Sequence, residues 1–230
     1  MMIEINNDLA QLFDGLTQLL AVYSELDTLI YDFKRKIGID CIPRCKKCCG
    51  TAGENIEVSV FEVLPMSIYF WQNGEADQWL KKLETTTPAS PCVLYNNVPQ
   101  AKSGCSAYFW RPLLCRLFGF SAKLDKHGKP LIGLCKELKR HEAFLEKRVQ
   151  ERIDEAGGAA ILPINSHFAQ KIADLNPNLG QQRYPINTAL KEALEMVGFR
   201  TALLTTAERD LDHNSPKDRP PRGPHMGKSA

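Results

Sequence analysis

Half of this chain's eight cysteines fall within nine positions, as Cys41-Ile-Pro-Arg-Cys45-Lys-Lys-Cys48-Cys49. The rest, Cys92, Cys105, Cys115 and Cys135, follow at wider intervals. Thiolates are the ligands that soft metal ions and iron–sulfur clusters prefer, so a metal centre is the first expectation. Cys45-x2-Cys48 has the spacing of a knuckle in which a turn brings two thiolates to one ion. Cys41 and Cys45, four apart, fit one turn of helix. Cys48 and Cys49 are more demanding, because successive side chains diverge by about 180° in a strand or about 100° in a helix. The adjacent pair is therefore expected to serve two ions or two corners of a cluster, with at least one downstream cysteine closing the site.

Basic residues lie among these thiols: Arg44, Lys46 and Lys47 in the first group, Arg111 and Arg116 beside Cys115. Nearby cations lower thiol pKa values and offset the charge of a thiolate-rich centre. A disulfide framework is the competing reading. The N-terminus has no basic stretch followed by an unbroken apolar run, so no secretory signal is expected and the chain reads as cytoplasmic, where thiols stay reduced. No window approaches eighteen apolar residues, which argues against a membrane span. With 43% hydrophobic and 24% charged residues and a net charge of +2, the composition is that of an ordinary globular protein. It demands neither nucleic acid nor a membrane surface. The expected partners are metal ions and a protein substrate or partner.

Zinc held by four thiolates would be structural, and eight cysteines would make two such sites. An iron–sulfur cluster would use three or four and leave the others around it. The crowded thiols and flanking arginines favour a polynuclear centre slightly. Cys41-x3-Cys45-x2-Cys48 is also the spacing of radical S-adenosylmethionine enzymes, but the strand–helix repeats of their barrel are missing. No P-loop, dinucleotide fingerprint, nucleophile elbow or His-Glu-x-x-His motif is present. His127, His141 and His167 read as surface residues, and Glu54, Glu57 and Glu62 form no recognisable acid–base pair.

The elements that must position the thiols are mostly helices. Leu9, Leu12, Leu16, Leu19, Tyr23, Leu26, Ile30, Phe33 and Ile37 alternate spacings of three and four. They predict one helix over 8–37, about 45 Å long, lying on its own domain in preference to a dimer partner. Ser59-Val-Phe-Glu62 has capping-box form, with Pro65 expected to limit or kink the helix that follows. Further helices are expected near 75–84, 136–155, 166–174 and 188–208. Residues 85–104 are turn-rich, and Asp125–Pro130 is a tight turn between extended pieces. The fold class is mainly α: a helical domain around a loop-rich cysteine metal centre, with a long N-terminal helix and few short strands. The expected organisation is an amphipathic helix over 1–37, the cysteine domain over 38–136, a helical part over 137–211 packed on it, and a disordered tail over 212–230.

Cys-x3-Cys-x2-Cys-Cys-Gly (41–50), Ser-Pro-Cys-Val-Leu (90–94) and Gly-Cys-Ser-Ala-Tyr-Phe-Trp-Arg-Pro-Leu-Leu-Cys-Arg-Leu-Phe-Gly-Phe (104–120) resemble the YkgJ-type cysteine-cluster family over roughly 38–136. That family is described as carrying a zinc- or iron-chelating domain. The resemblance implies that Cys41, Cys45, Cys48, Cys49, Cys92, Cys105 and Cys115 are metal ligands, with Cys135 a looser match. Gly119 departs from the pattern, since the family usually has proline between the two aromatics. The family also includes proteins similar to flagellin lysine N-methylases. The resemblance thus implies a metal-binding protein with a redox or metal-handling role, or alternatively a cluster-dependent protein-modifying enzyme.

Overall fold

The three-and-four spacing of the N-terminal stripe is realised in helix α2 (Leu16–Ile37), whose residues Leu16, Leu19, Tyr23, Leu26, Ile30, Phe33 and Ile37 are buried by the rest of the chain. The computed structural model describes residues 5, 7–42, 45–96, 104–142, 144–156 and 162–213. It is mainly helical, with short strands paired two by two.

The single helix expected over 8–37 is divided. A short α1 (Asn7–Gln11) precedes α2, and Gly15 between them has φ +81°. A Cβ on Gly15 would lie 2.7 Å from the Leu175 carbonyl oxygen at the end of α8 (Asn165–Leu175). The close approach of that backbone requires glycine and a left-handed turn, which breaks the helix.

Helix α3 (Val60–Gln72) is the centre of the larger core, buried on nearly every face. Its capping box forms as the sequence predicts: Glu62 N–H donates to Ser59 Oγ, and Ser59 N–H to Glu62 Oε2 at 2.8 Å. Pro65 does not end the helix, which continues through it to Gln72. Strand β1 (Glu57–Ser59) leads into α3 and pairs antiparallel with β6 (Arg183–Pro185), Val58 opposite Tyr184. After β6 comes α10 (Ile186–His213), whose buried residues Ala189, Leu190, Ala193, Leu194 and Val197 join the α3 core. Trp71 Nε1–H donates to the Leu194 carbonyl at 2.8 Å. Helices α4 (Ala76–Leu83) and α9 (Pro177–Gly180) complete this side.

A second, smaller core lies at the other end of α2. Phe33 and Ile37 pack there with Phe120, Ala122, Ile132 and Leu134 from or beside the hairpin β4 (Ser121–Leu124) and β5 (Pro130–Gly133). The expected turn at Asp125–Pro130 joins these strands. The helix expected over 136–155 is two, α6 (Lys136–His141) and α7 (Leu145–Glu155); Phe144 caps the second with φ +64°. Among the described residues no helix is long and apolar enough to cross a membrane. Of the tail expected to be disordered, Asp212 and His213 finish α10 and 214–230 lie outside the described residues.

Candidate metal centre

The first cysteine group follows α2 directly, after Gly38 ends the helix in the left-handed region. Cys45 N–H donates to Ile42 O, Cys49 N–H to Lys46 O, and Gly50 N–H to both Lys46 O and Lys47 O. These bonds wind 45–50 into consecutive turns. That winding brings Cys48 and Cys49 Sγ to 3.9 Å from each other. Four thiolates about 2.3 Å from a tetrahedral ion lie about 3.8 Å apart. Adjacent side chains therefore reach the separation of two ligands on one ion, a geometry that divergence along a regular helix or strand would not give. Arg44 lies outside the described residues.

The downstream cysteines are brought in by short elements. Cys105 is in β3 (Gly104–Cys105), which pairs with β2 (Tyr95–Asn96), Tyr95 opposite Cys105. Cys115 is in α5 (Leu113–Leu117), entered through Pro112. Cys92 sits on a segment bound on both sides: Gly53 N–H donates to Ser90 O at 2.7 Å, while Asn187 accepts from Val93 N–H and donates to Pro91 O.

Cys41, Cys45, Cys48, Cys49, Cys105 and Cys115 line one cavity of about 600 Å³. Cys92 is buried and does not line the cavity, but its charge adds to burial in raising the pKa of Cys115, so the two thiols are near each other. Cys135 does not line the cavity, but is close enough to raise the pKa of Cys41. Its Sγ accepts from Leu138 N–H at 3.4 Å and caps α6. Gly119, where the resemblance implies proline, has φ +87°, a value closed to a proline ring, and Cys135 Cβ is 3.5 Å from where its Cβ would be. The loop beside Cys135 is thus built on glycine's freedom.

Among the described residues, no three Cys, His, Asp or Glu side chains converge closely enough to clasp an ion as placed. The donor set nevertheless fits a soft metal. Among the described residues no histidine lines the cavity, and the one carboxylate there, Asp27, is ion-paired with Arg116. Six of the lining side chains are thiols, set beside the weaker oxygen donors of Asn96, Ser106 and Tyr108.

In the metal-free chain the surroundings of Cys41, Cys48, Cys92, Cys105 and Cys115 favour the protonated thiol. Burial pushes Cys92 up to about 12 and raises Cys41, Cys105 and Cys115, the last also through Cys92 and Cys105. Cys48 is raised well above the ordinary thiol range, first by its hydrogen bond with Cys49 and then by burial. Arg111 lowers Cys48, Cys105 and Cys115 by its charge, but burial wins for Cys105 and Cys115.

Two arginines close the segment before Cys115 on itself. Arg111 Nε–H donates to Tyr108 O at 2.8 Å and Nη1–H to Cys115 O at 3.4 Å, while the guanidinium lies 3.5 Å from the Tyr108 ring centroid. Arg116 donates from Nε to Arg111 O at 2.7 Å and from Nη2 to Phe109 O at 2.8 Å, and pairs with Asp27 of α2. This reciprocal clasp gives a structural reason for Arg-Pro-x-x-Cys-Arg. Glu62 and Asn187, which hold the cysteine segments from outside the motifs, are not distinguished by sequence. The capping-box spacing from Ser59 was the one visible signal for Glu62, and its burial was not.

Residues 40–151, slightly under half of the chain, match the CxxCxxCC family, described as a "putative zinc- or iron-chelating domain". No curated protein and no solved structure matches the chain.

Proposed function

With residues 40–151 belonging to this zinc- or iron-chelating family, we propose that the chain is a cytoplasmic metal-handling or redox protein. Its centre holds more than one metal atom, as an iron–sulfur cluster or two zinc ions. The ligands are drawn from Cys41, Cys45, Cys48, Cys49, Cys105 and Cys115, with Cys92 and Cys135 adjoining. One observation carries this reading: six thiols share one cavity that, among the described residues, offers no histidine and no unpaired carboxylate. Four thiolates complete a tetrahedral ion, so six exceed what a single zinc takes. An iron–sulfur cluster, when bound, would supply redox chemistry, whereas zinc held by four thiolates would be structural. The residues of the chain orient the thiols, and Arg111, whose charge lowers Cys48, Cys105 and Cys115, lies near the negative charge that bound thiolates carry.

Anaerobic purification followed by metal and acid-labile sulfide analysis tests the reading. Brown protein with iron and sulfide, or colourless protein with two zinc ions, supports it. One zinc per chain, or none of either metal, rejects it.

The size of the cavity favours one second reading, a cluster-dependent protein-modifying enzyme, because about 600 Å³ lies within the range of small-molecule sites. Calorimetric titration of the metal-loaded protein with S-adenosylmethionine separates the two. Absence of binding rejects the enzyme.

A further inference from the structure

Glu62 is almost completely buried, with 1% of its side chain exposed, and it uses its two carboxylate oxygens for different tasks. Oε2 accepts from Ser59 N–H at 2.8 Å and Ser59 Oγ–H at 3.0 Å, and pairs with Arg183 at 3.1 Å. That oxygen alone completes the cap of α3. Oε1 points the other way and accepts from Leu113 N–H at 3.2 Å. Leu113 is the first residue of α5, two before Cys115. A five-residue helix has little stability of its own, so its position depends on such ties. The carbonyl of Glu62 also accepts from the hydroxyl of Tyr23, over whose ring Arg116 lies. Both ends of α5 are thereby referred to the same residue.

We infer that Glu62 is the positioning residue for Cys115: its buried carboxylate anchors the start of α5 and so holds the Cys115 thiol at the cavity. The inference rests on the proposed reading of Cys115 as a metal ligand. A charge buried this fully is kept only where its partners are fixed, and one of those partners belongs to the cysteine helix.

The test compares Glu62→Gln and Ser59→Ala with the unaltered chain. In metal-free protein, iodoacetamide labelling followed by peptide mass spectrometry reads each thiol separately. The glutamine amide sets a donor against Leu113 N–H or Ser59 N–H, so Cys115 should label at least about tenfold faster while Cys41 and Cys135 keep their rates. Ser59→Ala leaves the bond to Leu113 and should lower the melting temperature without changing Cys115. Cobalt(II), added as the metal probe, should then give a weaker thiolate-to-cobalt charge-transfer band in Glu62→Gln. If the glutamine variant does not fold, Glu62→Asp, one methylene too short for Leu113, carries the same expectation. Unchanged Cys115 labelling in a folded variant, or equal acceleration of all thiols, overturns the inference. Failure of the unaltered chain to bind cobalt would reject the metal reading, and the labelling comparison would still decide the role of Glu62.

Discussion

The guanidinium of Arg116 lies 4.3 Å from the centroid of the Tyr23 ring, joining the helix of Cys115 to the middle of α2. Three of its donor groups are engaged at once, on Asp27, Phe109 O and Arg111 O. Arg116→Met keeps the apolar stem but removes every donor. It should cost about 1–3 kcal/mol, from two carbonyls left without a partner and the lost ring contact. The ion pair adds little, since Asp27 is half exposed. Arg116→Lys should recover less than half of the loss, having no planar fork. Urea unfolding with an unchanged m-value checks both; a methionine variant as stable as the parent would contradict the clasp.

Metal-free protein should be weak in alkali. The folded state raises Cys92 from 9.0 to about 12, and Tyr23 above 10.0 through burial and the charge of Glu62. A raised folded pKa means that the native state retains the proton which the unfolded chain gives up. Stability is therefore complete below about pH 9 and falls as pH climbs towards 12, by roughly 1.4 kcal/mol per pH unit for Cys92 alone. Denaturation midpoints at pH 8, 9.5 and 11 measure the slope. A flat profile would refute it.

Trp110 Nε1 is buried with no hydrogen-bond partner among the described residues. Its indole packs against Tyr69 and edge-on to Phe109. Trp110→Phe deletes the unpaired donor and keeps a ring, so the lost contact and the removed desolvation penalty offset each other. Thermal denaturation should place this variant within about 1 kcal/mol of the parent, whereas Trp110→Ala should lose about 3–5 kcal/mol. A phenylalanine variant as damaged as the alanine one would mean that the N–H is satisfied.

Gly198 lies within the continuous helix α10 where Trp71 crosses it. Alanine there would gain roughly 1 kcal/mol of helix propensity. Its Cβ, however, would come within 2.4 Å of the Trp71 ring, whose Nε1–H is already fixed on Leu194 O. The clash is with a rigid ring, so the net effect should be a loss of about 1–3 kcal/mol. A higher melting temperature in Gly198→Ala would show that Trp71 moves freely.

Local signals were legible in the sequence, and distant ones were not. The stripe from Leu16 to Ile37 follows from helical periodicity, and Ser59 with Glu62 from capping chemistry, because both depend on residues a few positions apart. The break at Gly15 depends on a carbonyl of Leu175, far along the chain, and no nearby residue announces it. Cys48 and Cys49 were expected to diverge; the consecutive turns that draw their sulfurs together arise from backbone bonds not encoded by side-chain period. Likewise Asn187 reads as an ordinary polar residue until the fold carries it to Pro91 and Val93.

Helix α2 runs from one core into the other, Ile30 packing in the first and Phe33 in the second. Asp27, Ile30 and Lys34, from the same stretch, form one wall of the cavity. Cys92, Cys105 and Cys115 pack with the first core and Cys135 with the second. The thiols therefore straddle a seam, and a load applied across that seam is borne by the middle of α2 and by whatever ties the two groups of sulfurs together. Pulled with one handle on α10 in the first core and the other on the β4–β5 hairpin in the second, the chain should resist at this joint, and the force needed to part it would report how firmly the sulfurs are fastened.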